Sequence, residues 1–224
     1  MTFSIAARCA ETGAMGIAIS SSSPAVAARC AHARAGVGVV ASQNITDPSL
    51  GPKGLDLLQG GLDADHALEA LLQDYPTADW RQLVVLDSSG GSAFFSGSET
   101  LGTNATAKGV DCAAAGNLLA NETVPGAMVA AFEEWPGALG DRLIAAMKAG
   151  LEAGGEAGPV HSAGLYMVRD VSWPIADLRV DWTEDCPIET LKSLWHIYQP
   201  QLEDYVTRAI DPTAAPSYGV PGDE

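Results

Sequence analysis

The 224-residue sequence predicts an α+β sandwich: strands come first in hairpins, helices are grouped in the middle, and strands return before a last helix. A doubly wound sheet would alternate the two element types along the chain. Glycine and asparagine turn signals bound most of the strand runs, and 3.6-residue apolar stripes mark the helices.

The opening is a hairpin. Phe3 and Ile5 alternate with Ser4 and Ala6, Glu11-Thr12-Gly13 supplies the turn, and Gly16-Ile17-Ala18-Ile19 returns, so Thr2 begins a strand. After Ser20–Ser23 and an Ala-rich stretch to Arg34, Gly36–Ser42 reads as a buried strand ending in Ser42, Gln43 and Asn44. Two short helices follow, one around Leu55-Leu57-Leu58 and one over 64–72. Asp63 caps the second, and Ala67, Leu68, Leu71 and Leu72 form its stripe. Residues 82–87 and 93–96 form a second hairpin around Ser88-Ser89-Gly90-Gly91, and another strand is expected over Val110–Ala115. It ends at Gly116-Asn117-Leu118-Leu119, before a helix that Asn121 caps and in which Pro125 sits near the first turn. Leu139, Leu143, Ile144, Met147 and Leu151 mark an amphipathic helix stopped by Gly154-Gly155. The last strands are His161–Val168 and Ile175–Val180. A helix from Pro187 then presents Ile188, Leu191, Leu194, Trp195 and Tyr198, with Pro200 breaking or kinking it. The expected division is one domain over residues 1–199 and a partly irregular extension over 200–224, whose aromatic residues suit a homodimer or larger homo-oligomer.

Lys and Arg number 12 against 28 Asp and Glu, a formal net charge of −16, so the field repels nucleic acid and anionic membranes. No run approaches the roughly 20 apolar residues of a membrane span, and no basic-then-apolar leader opens the chain. The four cysteines stand singly, which reads as reduced thiols in a cytoplasmic protein. The four histidines share no metal-ligand spacing, and neither metal nor other cofactor is expected.

Thr2 is chemically special if Met1 is removed, because its α-amine then sits beside its own hydroxyl and can act as general base. Such an amine titrates at about 7.7–8.0, so a modest depression suits it to neutral pH.

The runs Thr2–Arg8, Glu11-Thr12-Gly13, Gly16-Ile17-Ala18, Ala35–Gly38, Ala41-Ser42-Gln43 and Gly51–Leu55 resemble the uncharacterised bacterial family known as domain of unknown function 1028. So do Arg81-Gln82-Leu83, Ala115–Ala120, Ala153-Gly154-Gly155, His161-Ser162-Ala163 and Asp177–Asp181. The likeness extends to about Leu194. That family is grouped with the N-terminal-nucleophile (Ntn) hydrolases, so the resemblance implies a four-layer αββα sandwich of the proteasome β-subunit type. It also implies an amidohydrolase acting on a small amide or ureido compound, with Thr2 as nucleophile. Asn117, with the backbone at Gly116 or Leu118, would form an oxyanion hole. Ser162 would hydrogen-bond the Thr2 amine, and Gln43 and Asn44 would read the substrate. Family members carry a lysine soon after the second strand where this chain has Ser20–Ser23. Arg34, or Arg29, is the candidate to supply that charge near the substrate. Rival readings are a small-metabolite-binding member in which Thr2 only starts a strand, and a ring-type assembly subunit.

Overall fold

The computed structural model describes residues 2–220; Met1, whose removal the sequence reading expects, and the acidic end of the tail lie outside the described residues. Strands β1 (Thr2–Arg8) and β2 (Met15–Ser21) form the first hairpin. Next come a short helix α1 (Val26–Cys30), β3 (Ala31–Arg34) and β4 (Gly38–Asn44). Helices α2 (Leu50–Gln59) and α3 (Ala64–Leu72) precede β5 (Arg81–Asp87), β6 (Ser92–Ser96), β7 (Ala105–Gly109) and β8 (Cys112–Asn117). Helices α4 (Val124–Glu134) and α5 (Leu139–Glu152), strands β9 (Ser162–Val168) and β10 (Ala176–Val180), and helices α6 (Pro187–Tyr198) and α7 (Leu202–Ile210) complete the chain.

The strands make two sheets, both antiparallel throughout: one of six in the order β10-β9-β2-β1-β8-β7, and one of four in the order β3-β4-β5-β6. The period-2 alternation of side chains sorts three apolar clusters. Phe3, Ile5 and Ala7 pack on α4 and α5 through Met128, Phe132, Leu143 and Met147. Val40, Leu83 and Val85 pack on α2 and α3 through Leu50, Leu55, Ala67 and Leu71. Between the sheets, Ala6, Ala113 and Ala115 meet Val39, Ala41, Val84 and Leu86. The small alanines of β1 and β8 face Val39, Val84 and Leu86 with Ala41 among them, which lets the layers approach closely there.

Several expectations change. The Ala-rich stretch before Arg34 contains α1 and β3; every residue of β3 is half-buried, which erases any alternation. Val110 is no strand residue. It sits 74% exposed in a turn with Asp111 (φ 57°), and β7 and β8 lie on either side. Asn121 precedes the N-cap of α4, which is Thr123, and its Oδ1 accepts the Thr123 N–H at 2.9 Å. Pro200 produces a single 3₁₀ turn over Gln199–Gln201, after which α7 buries Leu202 and Val206 in the cluster that holds Trp195. Asp63 caps α3 as expected, accepting the His66 N–H at 2.9 Å. All four cysteines are free thiols. Among the described residues no helix is long and apolar enough to cross a membrane, and no three His, Cys, Asp or Glu cluster around a metal-sized space.

Candidate active site

At one end of the sandwich the apolar interlayer turns polar in register. Two residues beyond Ala6 and Ala115 come Ser4 and Asn117, and two beyond Ala41 and Val84 come Gln43 and Gln82. All four are buried. Continuing the period-2 face, Thr2 follows Ser4, and it stands directly opposite Asn117 in the β1–β8 ladder.

The hydrogen bonds of this cluster have a defined direction. Gln82 Nε2 donates to the backbone carbonyl of Gly116 at 3.0 Å and to Ser96 Oγ at 3.0 Å. A carbonyl can only accept, so the Gln82 amide cannot be flipped. Its Oε1 therefore faces inward and accepts from Gln43 Nε2 at 2.8 Å and from Asn117 Nδ2 at 3.0 Å. That orientation leaves Gln43 Oε1 to accept from Ser4 Oγ at 2.7 Å. It also turns Asn117 Oδ1 away from Gln82, where this buried acceptor has no partner among the described residues. A stranded buried acceptor costs about 1–3 kcal/mol, and such exceptions call for a reason.

These bonds redistribute the expected roles. Gln43 is a link between the sheets. Asn117 uses one amide proton on Gln82 and presents an acceptor, where an oxyanion needs donors. The Leu118 N–H, a proposed backbone donor, is bonded to Leu101 O at 2.9 Å. Asn44 (φ 71°) pins two loops: its Nδ2 donates to Trp80 O at 2.8 Å and its Oδ1 accepts from Leu101 N at 3.2 Å. Ser162 gives its single hydroxyl proton to Ser23 O at 2.6 Å and accepts from Val26 N at 3.3 Å, so it anchors the turn after β2. Arg34 pairs with Asp56 at 2.9 Å and with Gln59 on the α2 side of β3, and Arg29 donates to Pro24 O. Neither arginine is drawn to the polar interlayer by these contacts.

The ladders nevertheless align a row of polar residues across the six-stranded sheet. Ser162 opposes Ser21, Ser20 opposes Phe3, and Thr2 opposes Asn117, so Ser162, Ser21, Thr2 and Asn117 stand at one level on four adjacent strands. Thr2 is 5% exposed. A surface cleft of about 630 Å³ beside α2 and α3, lined by Leu57, Leu62, Leu71 and Tyr75, does not include it.

One residue at this end escaped the sequence reading. Glu156 is a buried carboxylate whose Oε1 and Oε2 lie 3.1 and 3.3 Å from the Ser22 N–H. Burial pushes it up to about 7; positive charge at the amino terminus, hydrogen bonding from Ser22 and the charge of His161 pull the other way. Nothing local in Glu156-Ala157-Gly158-Pro159 signals burial, since the covering strands come from the other end of the chain.

The protein is thus of the α+β class, two antiparallel sheets with a polar row at the start of the first strand. The chain belongs to the family described as "Family of unknown function (DUF1028)", whose model matches residues 2–191. The crystal structure of protein SPO2555 from Silicibacter pomeroyi, also assigned to DUF1028, superposes with a TM-score of 0.84 at 29% identity, covering 91% of this chain and 94% of that one. Anbu (ancestral beta-subunit) from Yersinia bercovieri aligns over 91% and 97% with a TM-score of 0.38 and 11% identity. No curated protein matches the chain.

Proposed function

We propose that this chain is an amide hydrolase of the N-terminal-nucleophile type, acting on a small amide or ureido compound. The observation that supports it most directly is the position of Thr2: first residue of a central strand, on the interlayer face, beside the polar side chain of Asn117. Removal of Met1 would place a primary amine one carbon from the carbon that bears the hydroxyl. The amine takes the Thr2 Oγ1 proton as Oγ1 attacks the substrate carbonyl carbon. Collapse of the tetrahedral adduct breaks the C–N bond, and the same proton passes to the departing amine. Water then adds to the ester carbon, its proton going to the α-amine. The C–Oγ1 bond breaks and Thr2 regains its proton. The two sheets with helices outside them are read, on this proposal, as the αββα sandwich of that class. A cytoplasmic homodimer or larger homo-oligomer is part of the same reading, with exposed Ile197, Tyr205 and Ile210 near the carboxyl end as the candidate contact.

The test is hydrolysis of a panel of small amides and ureido compounds, followed by mass spectrometry, with Thr2→Ala and Thr2→Ser compared with the parent. Loss of turnover in the alanine variant and partial retention in the serine variant are expected. Turnover by Thr2→Ala at the parental rate, or full retention of Met1 in active protein, overturns the reading.

A further inference from the structure

Glu156 has no part in the chemistry above, yet it occupies a defined place. Strand β1 lies between β2 and β8, which end level with Thr2 at Ser21 and Asn117, and beyond those ends the chain runs on to Ser22 on one side and to Leu118 and Leu119 on the other. Glu156 ties these two continuations together: its backbone makes an antiparallel bridge to Leu119, and its carboxylate accepts the Ser22 N–H. The carboxylate therefore lies across the mouth through which the chain enters β1. On the β8 side of that mouth stands Asn117, whose Oδ1 is turned away from Gln82 and unpartnered among the described residues.

We infer that Glu156 and Asn117 Oδ1 form a pocket for the α-amino group that Thr2 gains when Met1 is removed, with Glu156 as the positioning residue for that amine. The inference rests on Thr2 being an N-terminal nucleophile. A peptide N–H offers one donor, whereas a neutral amine offers two and an ammonium three. With its two N–H groups on Glu156 and Asn117, the neutral amine keeps its lone pair for the Thr2 hydroxyl. The stranded acceptor thereby acquires a partner. No bond to a carbon of Glu156 forms or breaks; the only change is a proton passing between its carboxyl oxygen and the amine nitrogen, the O–H bond breaking as the N–H bond forms or the reverse. A carboxyl at about 7 and an amine whose ordinary value is about 7.7–8.0 are matched closely enough to titrate as a coupled pair. The other ionisable groups felt here are His161, stacked on Trp182 with Nδ1 2.9 Å from Thr183 O and 3.9 Å from Glu184, and the Cys30 thiol on α1, which burial pushes up.

The experiment is a pH titration of the Thr2 ¹³Cα resonance in full-chain protein that begins at Thr2, made by cleaving a removable amino-terminal fusion. In the parent the amine resonance should report a second, coupled step. In Glu156→Gln that step should vanish and the amine midpoint should fall by about one pH unit, roughly tenfold in proton affinity, because the carboxylate no longer favours the ammonium. Glu156→Asp, which keeps the charge, should restore most of the midpoint. An unchanged midpoint in a folded Glu156→Gln, or the absence of a coupled step in the parent, overturns the inference. Should Glu156→Gln fail to fold, a parent titration without a coupled step does the same. The underlying reading fails separately: coupling with undiminished hydrolysis by Thr2→Ala leaves the amine pocket standing and removes the nucleophile. Thr2-dependent hydrolysis without coupling removes only the pocket.

Discussion

Gln82 and the backbone carbonyl of Gly116 are joined by a 3.0 Å hydrogen bond that connects the two sheets, and this bond orients every other amide in the interlayer. Because the carbonyl fixes which end of the Gln82 side chain faces it, Gln43 and Asn117 both donate to the other end.

Replacing Gln82 should consequently cost far more than replacing its neighbour. Gln82→Leu leaves Gln43 Nε2, Asn117 Nδ2 and Gly116 O without this partner, and at about 1–3 kcal/mol per stranded group the expected loss is at least about 3 kcal/mol. Asn117→Leu removes an already stranded acceptor and should cost less than about 2 kcal/mol. Urea unfolding of both variants decides the order. Equal losses would mean that the network is not organised around Gln82.

Glu156 should make stability fall as the medium turns alkaline. Its folded value of about 7 lies above the ordinary 4.5, so its contribution is fully present below 4.5 and is lost as pH rises through about 7. The rise corresponds to on the order of 3 kcal/mol. Glu156→Gln keeps an acceptor for Ser22 without the charge, and should match the parent near pH 4.5 and exceed it in stability near pH 8. A variant destabilised equally at both values would contradict this.

Asp87 should act with the opposite sign. Burial pushes this carboxylate up, but its bonds outweigh that: Oδ1 accepts from Ser89 N, Ser89 Oγ and Gly91 N, and Oδ2 accepts from Ala64 N at the start of α3. Its folded value lies below 3.8, so the stabilisation is present above 3.8 and disappears as pH falls through the folded value. Asp87→Asn should cost about 1–3 kcal/mol at pH 7, with the gap to the parent closing under acid conditions. Thermal melts at neutral and acidic pH test it, and a gap that persists in acid counts against the carboxylate's role.

Removing residues from Gln201 onward should weaken the subunit itself. The deletion uncovers the sites of Leu202 and Val206, worth about 1.5–3 kcal/mol each, and removes the forked pair of Arg169 with Glu203 at 2.6 and 3.0 Å. A melting temperature lowered by several degrees is expected. Light scattering on the same protein reads the assembly: a shift toward monomer supports the carboxyl-terminal contact, and unchanged size rules it out.

The elements that read well from the chain were those whose pattern is local. The β1–β2 hairpin, α3 with its Asp63 cap and the α5 stripe each follow from a short run of side chains. β3 did not, since every residue of this edge strand is half-buried and no alternation remains, and β7 did not because its alternating covered positions hold only Ala105, Ala107 and Gly109, which carry little apolar signal. Val110 misled because an apolar side chain in a turn looks like the start of a strand. At the candidate site, Thr2 and Asn117 can be named from the sequence as proposed site residues, but the directions of their neighbours' amides cannot. Those depend on Gly116 meeting Gln82 across 34 residues, a contact that no window of sequence contains. Glu156 was hidden for the same reason, the hydrogen-bond partner of its carboxylate, Ser22, lying 134 residues away.

The polar cluster also works as a locking pin. Apolar surfaces have no preferred alignment, so two smooth sheets can in principle stack in several ways of nearly equal energy. Sliding one sheet past the other by a single residue, about 3.3 Å, would break the bonds of Ser4 to Gln43 and of Gln82 to Gly116 and Asn117 together, while the alanine-lined part of the contact would hardly register the change. Fastened at one end, the layers retain a single alignment, and the wrong stackings are raised in energy while the right one is left nearly where it was. What this corner contributes is uniqueness of shape, and the hydrolysis proposed above, in which a hydroxyl, an amine and a carbonyl carbon would meet within a fraction of an ångström, would depend on that more than on added stability.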